Sequence, residues 1–300
     1  MLATPTTCGG LGSVRAVVEP GEIVAIWESE LAGVGAWSLV LRGRGVEVDV
    51  RGALAYSGAS TIKTFLLEQA SVAVASGSLG WDTPVSVTPE HLAVGDGVLA
   101  TWPLPVTLPL HAVAQLMTAL SDNTATNAVV DTLGGLEVVN DALAAAGCLT
   151  RMRRWVTGRY VDPRADSWDS SPSLPSRAGL SVVVVSEHAD AIDRLVTDPR
   201  HAVARAMLEQ QWHRDSLARP LVDETPFAHK SGSVGGVRHD GGVLLPGTPD
   251  ALTVHCFTDG PERDELVDDV AGVGMGRAMA RTLGLLGLGA LVAPQALSGR

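Results

Sequence analysis

Lysine is almost missing from this sequence. Lys63 and Lys230 are the only two among 22 basic side chains, so a positive charge that merely faces water is supplied by arginine. The basic residues form no block and the formal charge is −11, which excludes the electrostatic footprint that holds a nucleic-acid backbone. Cysteine is equally scarce. Cys8, Cys148 and Cys256 are odd in number, far apart and without metal-ligand spacing, which excludes a disulfide framework or zinc site and leaves buried thiols as the expectation. Long apolar runs are absent too: the most apolar stretch, LGLLGLGALVAP from residue 283, is too short and glycine-rich to span a bilayer. The opening MLATPTTCGGLGSVRAVVEP lacks the basic start and apolar run of a secretory leader. A cytoplasmic protein is expected if that start is native, and an extracytoplasmic one if a leader was trimmed.

What remains is ample material for a core. With 46% hydrophobic and 18% charged residues over 300 positions, one large domain or two intimately packed lobes is expected. After a tail over residues 1–20, GEIVAIWESEL (21–31) reads as a helix, and residues 35–52 as two alternating strands joined by a Gly-Arg-Gly turn. Residues 59–204 read as mainly helical, with helices expected over 110–121 and 136–147 and an irregular stretch between 150 and 180. Strand signals return at 227–234, 241–247 and 251–260, and a helix closes the chain. Two early strands and three late ones imply one sheet built from both ends, residues 21–58 with 205–300, interrupted by a helical lobe over 59–204. The GVGMG near residue 272 is expected late on that closing helix, where it makes no dinucleotide site.

The first lysine lies in AYSGASTIKTFLL, residues 55–67, three places after Ser60. At that spacing on a helix both side chains share one face, and Ser60 sits where free backbone N–H groups favour developing negative charge. A serine hydroxyl attacks only when something takes its proton, and lysine can do so only when burial or a neighbouring cation lowers its pKa. Arginine cannot serve in that role. Taken alone, the pair is equally a helix cap followed by a surface lysine. The second lysine stands in HKSGS, residues 229–233, on an expected strand whose small residues would let a substrate lie alongside. Between them, SDNTATN (121–127) presents a hydroxyl, a carboxylate and an amide in succession, which taken alone reads as a helix-capping turn.

In order, Ser-x-x-Lys, Ser-Asp-Asn and Lys-Ser-Gly resemble the motif set of the penicillin-recognising serine enzymes, most closely the class A β-lactamases, over about residues 22–292. The resemblance implies an α/β fold of β-lactamase/transpeptidase type: an antiparallel five-stranded sheet flanked by helices, an inserted all-helical lobe, and an active site between the lobes. It makes Ser60 the nucleophile, Lys63 its proton acceptor or the partner of one, and Ser121 a proton shuttle to the leaving nitrogen. Asn123 would hold a substrate amide and the lysine, while Lys230, Ser231 and Gly232 form the substrate-binding strand. Backbone N–H groups of Ser60 and Ser233 would make the oxyanion hole. VRHDGGVL (237–244) points to Arg238 as a cation for a substrate carboxylate, a role weighed evenly against an ordinary ion pair.

One segment departs from the family. Where the family reads Thr-Arg-Leu-Asp-Arg-Trp-Glu with an asparagine four residues on, this chain has TRMRRWVTGRY, residues 150–160. Val156 falls at the deacylating glutamate and Tyr160 at the asparagine, and no glutamate occurs between Glu137 and Glu187. Asp162, Asp166 or Asp169 could replace the base, although the family's pattern makes Asp169 an ion-pair partner of Arg154. His229 and His239 flank the site and could tune it or act as a base; hydrogen-bonded structural histidines are the plainer expectation.

The expected protein is therefore a serine hydrolase acting through an acyl-Ser60 intermediate on a small lactam, amide or ester carrying a carboxylate, with weak β-lactam turnover. The alternatives are a penicillin- or acyl-binding protein, a biosynthetic acyltransferase or esterase, and a β-lactamase with a relocated base. No cofactor, metal, nucleic acid or membrane is expected, and a monomer is.

Overall fold

In the computed structural model, residues 18–156, 179–260 and 269–297 are described. Helix α1 (Pro20–Glu30) takes its proline in the first turn, where the missing N–H is harmless, and buries Ile23 and Trp27 one turn apart. Strands β1 (Ala36–Gly43) and β2 (Val46–Val50) form the early hairpin. Its turn needs left-handed backbone at Arg44 and Gly45, with φ of 54° and 82°.

A short strand β3 (Ala55–Ser57) runs into a single 3-10 turn, Ala59–Thr61, and then helix α2 (Ile62–Ala75). The helical region continues through the hairpin β4 (Pro84–Val87) and β5 (Val106–Pro109) to α3 (Leu110–Ala119), α4 (Asn123–Thr132) and α5 (Leu136–Ala145). Strand β6 (Arg151–Met152) pairs with β7 (Ser181–Val184), which also pairs with β3, and α6 (Val185–Thr197) and α7 (Ala202–Glu209) follow. The chain then returns as β8 (Phe227–Val234), β9 (Val237–Leu244) and β10 (Leu252–Asp259) and closes with α8 (Val270–Leu285).

The main sheet has the order β2-β1-β10-β9-β8 and every pairing in it is antiparallel. Successive residues of β1 serve opposite faces. Leu39 and Leu41 join Ile23, Trp27, Val254, Met275 and Leu283 in a core under α1 and α8. Val40, with Ala228, Val243 and Phe257, faces a second core that continues into Phe65, Leu66, Met117, Val129 and Ile192 of the helices. Because the sheet is covered on both faces, β10 is buried at every residue from Leu252 to Thr258, the polar Thr253, His255 and Thr258 included.

Three sequence expectations are corrected. The segment over 59–204 also holds the β4–β5 hairpin and the small β3-β7-β6 sheet, whose two- to four-residue strands are too short for a periodic signal. Strand β9 begins at Val237 rather than at 241, because the polar Arg238, His239 and Asp240 mask its start. The GVGMG run lies in the first half of α8, not late on it; a Cβ at Gly274 would stand 2.6 Å from the carbonyl oxygen of Glu30, so this glycine permits the close approach of α8 to α1. Among the described residues no helix is long and apolar enough to cross a membrane, and no three His, Cys, Asp or Glu side chains are grouped to hold a metal.

Candidate active site

The 3-10 turn that carries Ser60 is held in an unusual backbone. Ala59 has a φ of 44°, a left-handed conformation that costs a β-carbon residue roughly 1–3 kcal/mol and persists only under surrounding constraint. That constraint is visible. The Gly58 N–H donates to the carbonyl of Ser181 at 3.0 Å and the Thr61 hydroxyl to that of Gly58 at 2.6 Å. From the other side β8 presses on the turn: a Cβ at Gly232 would lie 2.8 Å from the backbone nitrogen of Ser60 and 3.0 Å from that of Thr61. Only glycine lets the strand pass so close to the serine.

Lys63, one turn along α2, is 1% exposed, and its Nζ reaches three acceptors: the Ser121 carbonyl at 2.5 Å, the Ser121 hydroxyl at 3.0 Å and Asn123 Oδ1 at 2.8 Å. Lys230, on β8, is wholly buried; its Nζ donates to the Ser231 carbonyl at 2.8 Å and lies 3.3 Å from the Ser121 hydroxyl. The two ammonium groups thus meet at one hydroxyl. Desolvation pushes the Lys63 pKa well down, and the neighbouring Lys230 charge lowers it further. Desolvation also brings Lys230 down, to about 8, against the opposing fields of Asp240 and Asp96. A lysine whose pKa is lowered in this way can give up its proton, as an arginine at either position could not.

Ser121 itself is left-handed, with φ of 57°, between α3 and α4. The following Asp122 is a structural residue: its carboxylate accepts from Ala125 N at 2.8 Å as the cap of α4, and from Val98 N at 2.6 Å and Leu99 N at 2.8 Å. Asn123 donates to the Val94 carbonyl at 2.9 Å while its oxygen takes Lys63. Ser60, Ser121, Ser231, Gly232, Ser233 and Arg238 line one cleft of roughly 180 Å³. The same cleft is lined by Asp96, His213 and Asp215, which the sequence did not single out. The Gly-Asp-Gly at 95–97 was the available signal for Asp96; nothing local distinguishes the other two.

Val156 is buried, and the Asn127 side chain clamps its backbone from both sides: Oδ1 accepts from Val156 N at 3.0 Å and Nδ2 donates to Val156 O at 3.0 Å. Asn127 lies one turn after Asn123 in α4, inside the quoted SDNTATN, so helical spacing could have picked it out. Tyr160, Asp162, Asp166 and Asp169 lie outside the described residues.

Arg238 does not stand free. Its guanidinium is held by Asp215 at 2.6 Å and Asp269 at 2.8 Å, so of the two readings weighed for it the ion pair is the arrangement present. The two histidines are likewise engaged. His229 is wholly buried, bonded to Asp240 at 2.8 Å and stacked on Phe227. His239 bonds to the Ser57 carbonyl at 2.8 Å and stacks on Phe257, and desolvation lowers its pKa to about 4.

An antiparallel five-stranded sheet, helices on both faces and an inserted helical lobe, with the cleft at the sheet's β8 edge, define the β-lactamase/transpeptidase class of fold. The chain belongs to the Beta-lactamase enzyme family, whose model matches residues 22–281. Among solved structures it is similar to a β-lactamase from Sphaerobacter thermophilus, at 24% identity over 90% of this chain and 98% of that one, with a TM-score of 0.74. PBP-A matches at 19% identity over 88% and 96% of the two chains, with a TM-score of 0.70. A glutamate-for-leucine variant of PBP-A, solved as an acyl-enzyme complex with penicillin G, matches at 20% identity over 88% and 97%, with a TM-score of 0.69. No curated protein matches the chain in sequence.

Proposed function

We propose that this protein is a serine hydrolase that forms an acyl-Ser60 intermediate with a lactam, amide or ester and releases it slowly. The observation that carries the reading is the meeting of Lys63 and Lys230 at the Ser121 hydroxyl beside Ser60. Ser60 Oγ attacks the carbonyl carbon, and its proton passes to Lys63 in the amine form that burial and Lys230 favour. The oxyanion is met by the backbone N–H groups of Ser60 and Ser233. As the carbonyl re-forms, the bond to the leaving nitrogen or oxygen breaks and that atom takes the proton from Lys63 through Ser121. Asn123 holds Lys63 and offers an amide to the substrate. All these groups come from one chain, so the reading takes the protein as a monomer acting on a small acyl compound. It takes residues 21–58 and 205–300 as the sheet part and 59–204 as the helical part, with Ser60 just past their first junction.

Release is the weak step. A water must be oriented and deprotonated to attack the acyl carbonyl, and the Val156 side chain can do neither; lacking a positioned base costs ~10²–10⁴ in rate. The acyl-enzyme with penicillin G captured for a protein of the same fold supports an acyl intermediate here. The carboxylate expected on the substrate rested on Arg238, which Asp215 and Asp269 occupy, so it is not carried into this reading. A second reading is favoured by Val156: an acyl-binding protein, or an acyltransferase that hands the acyl group to an acceptor other than water.

Intact-protein mass spectrometry over time after adding penicillin G, with Ser60→Ala alongside, tests both. A long-lived adduct on the wild type alone supports acylation with slow release. Drug consumed without an adduct means that another loop residue performs deacylation. Neither adduct nor consumption shifts the reading to a substrate other than a β-lactam or to binding alone.

A further inference from the structure

The charge arrangement around the cleft runs against an anionic substrate. Among the described residues Arg238 is the only arginine lining it, and both carboxylates that hold the guanidinium approach the same terminal nitrogen, Asp215 Oδ2 at 2.6 Å and Asp269 Oδ2 at 2.8 Å. Asp269 is fixed there by a second duty, since its other oxygen accepts from Gly272 N at 2.9 Å as the cap of α8. Asp215 belongs to a segment tied to the end of α3, where Gln211 donates to the Thr118 carbonyl and Trp212 N to that of Ala119, both at 3.0 Å. Asp269 is thus held in place from two sides, while the Asp215 side chain is half-exposed on a backbone that is tied down. Asp96 adds a third carboxylate to the lining, close enough for its field to act on both lysines. Lys230 is wholly buried and is not among the residues lining the cleft; its Nζ donates to Ser231 O and to the Ser121 hydroxyl.

Resting on the acyl-Ser60 reading, we infer that the site selects esters or amides whose leaving group is neutral or cationic, and that Asp215 and Asp269 are the residues that reject a carboxylate there. A carboxylate drawn to Arg238 would have to lie beside both aspartates, whose two charges already exceed that of the guanidinium. Like charges so juxtaposed repel, and a guanidinium already shared by two carboxylates returns little in compensation. A neutral group meets no such barrier, and a quaternary ammonium gains the fields of Asp215 and Asp96.

Three acetate esters sharing one acyl group test this: phenyl acetate, 3-carboxyphenyl acetate and 3-(trimethylammonio)phenyl acetate. All give the same acetyl-Ser60, so deacylation is common and only recognition of the leaving group differs. With acylation rate constants divided by each ester's spontaneous hydrolysis rate, the anionic ester should fall about tenfold or more below phenyl acetate and the cationic ester should equal or exceed it. In Asp215→Asn, and further in Asp215→Asn with Asp269→Asn, the anionic ester should rise to the level of phenyl acetate; asparagine keeps the α8 cap, so folding is preserved. An anionic ester acylating as fast as phenyl acetate in the wild type overturns the inference, as does an unchanged ranking in the double variant. The Ser60→Ala protein separates this from the reading beneath it. Turnover surviving in that variant refutes acyl-Ser60, and calorimetric affinities of the three esters for it still rank the charges.

Discussion

The side-chain amide of Asn127 grips both backbone polar atoms of Val156, N and O at 3.0 Å each. The clamp fixes the position of that residue while leaving its side chain without a hydrogen-bonding role, so the backbone is placed regardless of what residue 156 carries.

Val156→Glu should therefore keep the local backbone and add a carboxylate where release is slow. The acetyl-enzyme formed from phenyl acetate should decay ~10²–10⁴ faster than in the wild type, read as loss of adduct mass over time. Unchanged decay would mean that valine is not the bottleneck.

Gly232→Ala should disable the site without touching a functional group. The new Cβ meets backbone nitrogens of Ser60 at 2.8 Å and Thr61 at 3.0 Å, atoms that cannot swing aside as a flexible side chain does. Overpacking of this kind costs about 1–3 kcal/mol, and acylation should drop at least tenfold; a variant acylated at the wild-type rate would show that the turn yields freely.

Asp122→Ala removes the acceptor of three backbone N–H groups, those of Ala125, Val98 and Leu99. With each orphaned donor costing about 1–3 kcal/mol, the denaturant midpoint should fall steeply, by more than loss of the α4 cap alone explains. A shift equal to a single cap, about 1 kcal/mol, would refute the shared role.

The pH dependence of stability follows from Lys230. Its pKa is about 8 in the folded protein against 10.5 for a free lysine, so between those values the unfolded chain binds the extra proton. Stability then rises with pH across that window, because the penalty of a buried ammonium is relieved as the folded state sheds its proton first. Urea unfolding of the wild type and Lys230→Met at pH 7, 8, 9 and 10 should show the wild type gaining on the variant as pH rises. A constant gap would refute the buried cation.

The fold class was legible through the family resemblance that three motifs carry together, and those motifs stood out by their chemistry: a serine one turn before a rare lysine, a hydroxyl-carboxylate-amide run at a helix start, a lysine on a strand of small residues. The ion-pair partners of Arg238 were not. Asp215 lies 23 residues before it and Asp269 31 residues after it, and no periodicity marks a carboxylate brought in from such a distance. The β4–β5 hairpin escaped notice for a related reason: its four-residue strands are separated by residues 88–105, far beyond the reach of a tight-turn signal.

Strand β10 lies in the middle of the main sheet, between β1 from the start of the chain and β9 from its end. During synthesis the β1–β2 hairpin must therefore wait, with an open edge, until the residues up to Asp259 have emerged from the ribosome. Closure of the sheet is a late, long-range event, so the nascent chain passes through a slow and aggregation-exposed stage in which chaperones have most to act on.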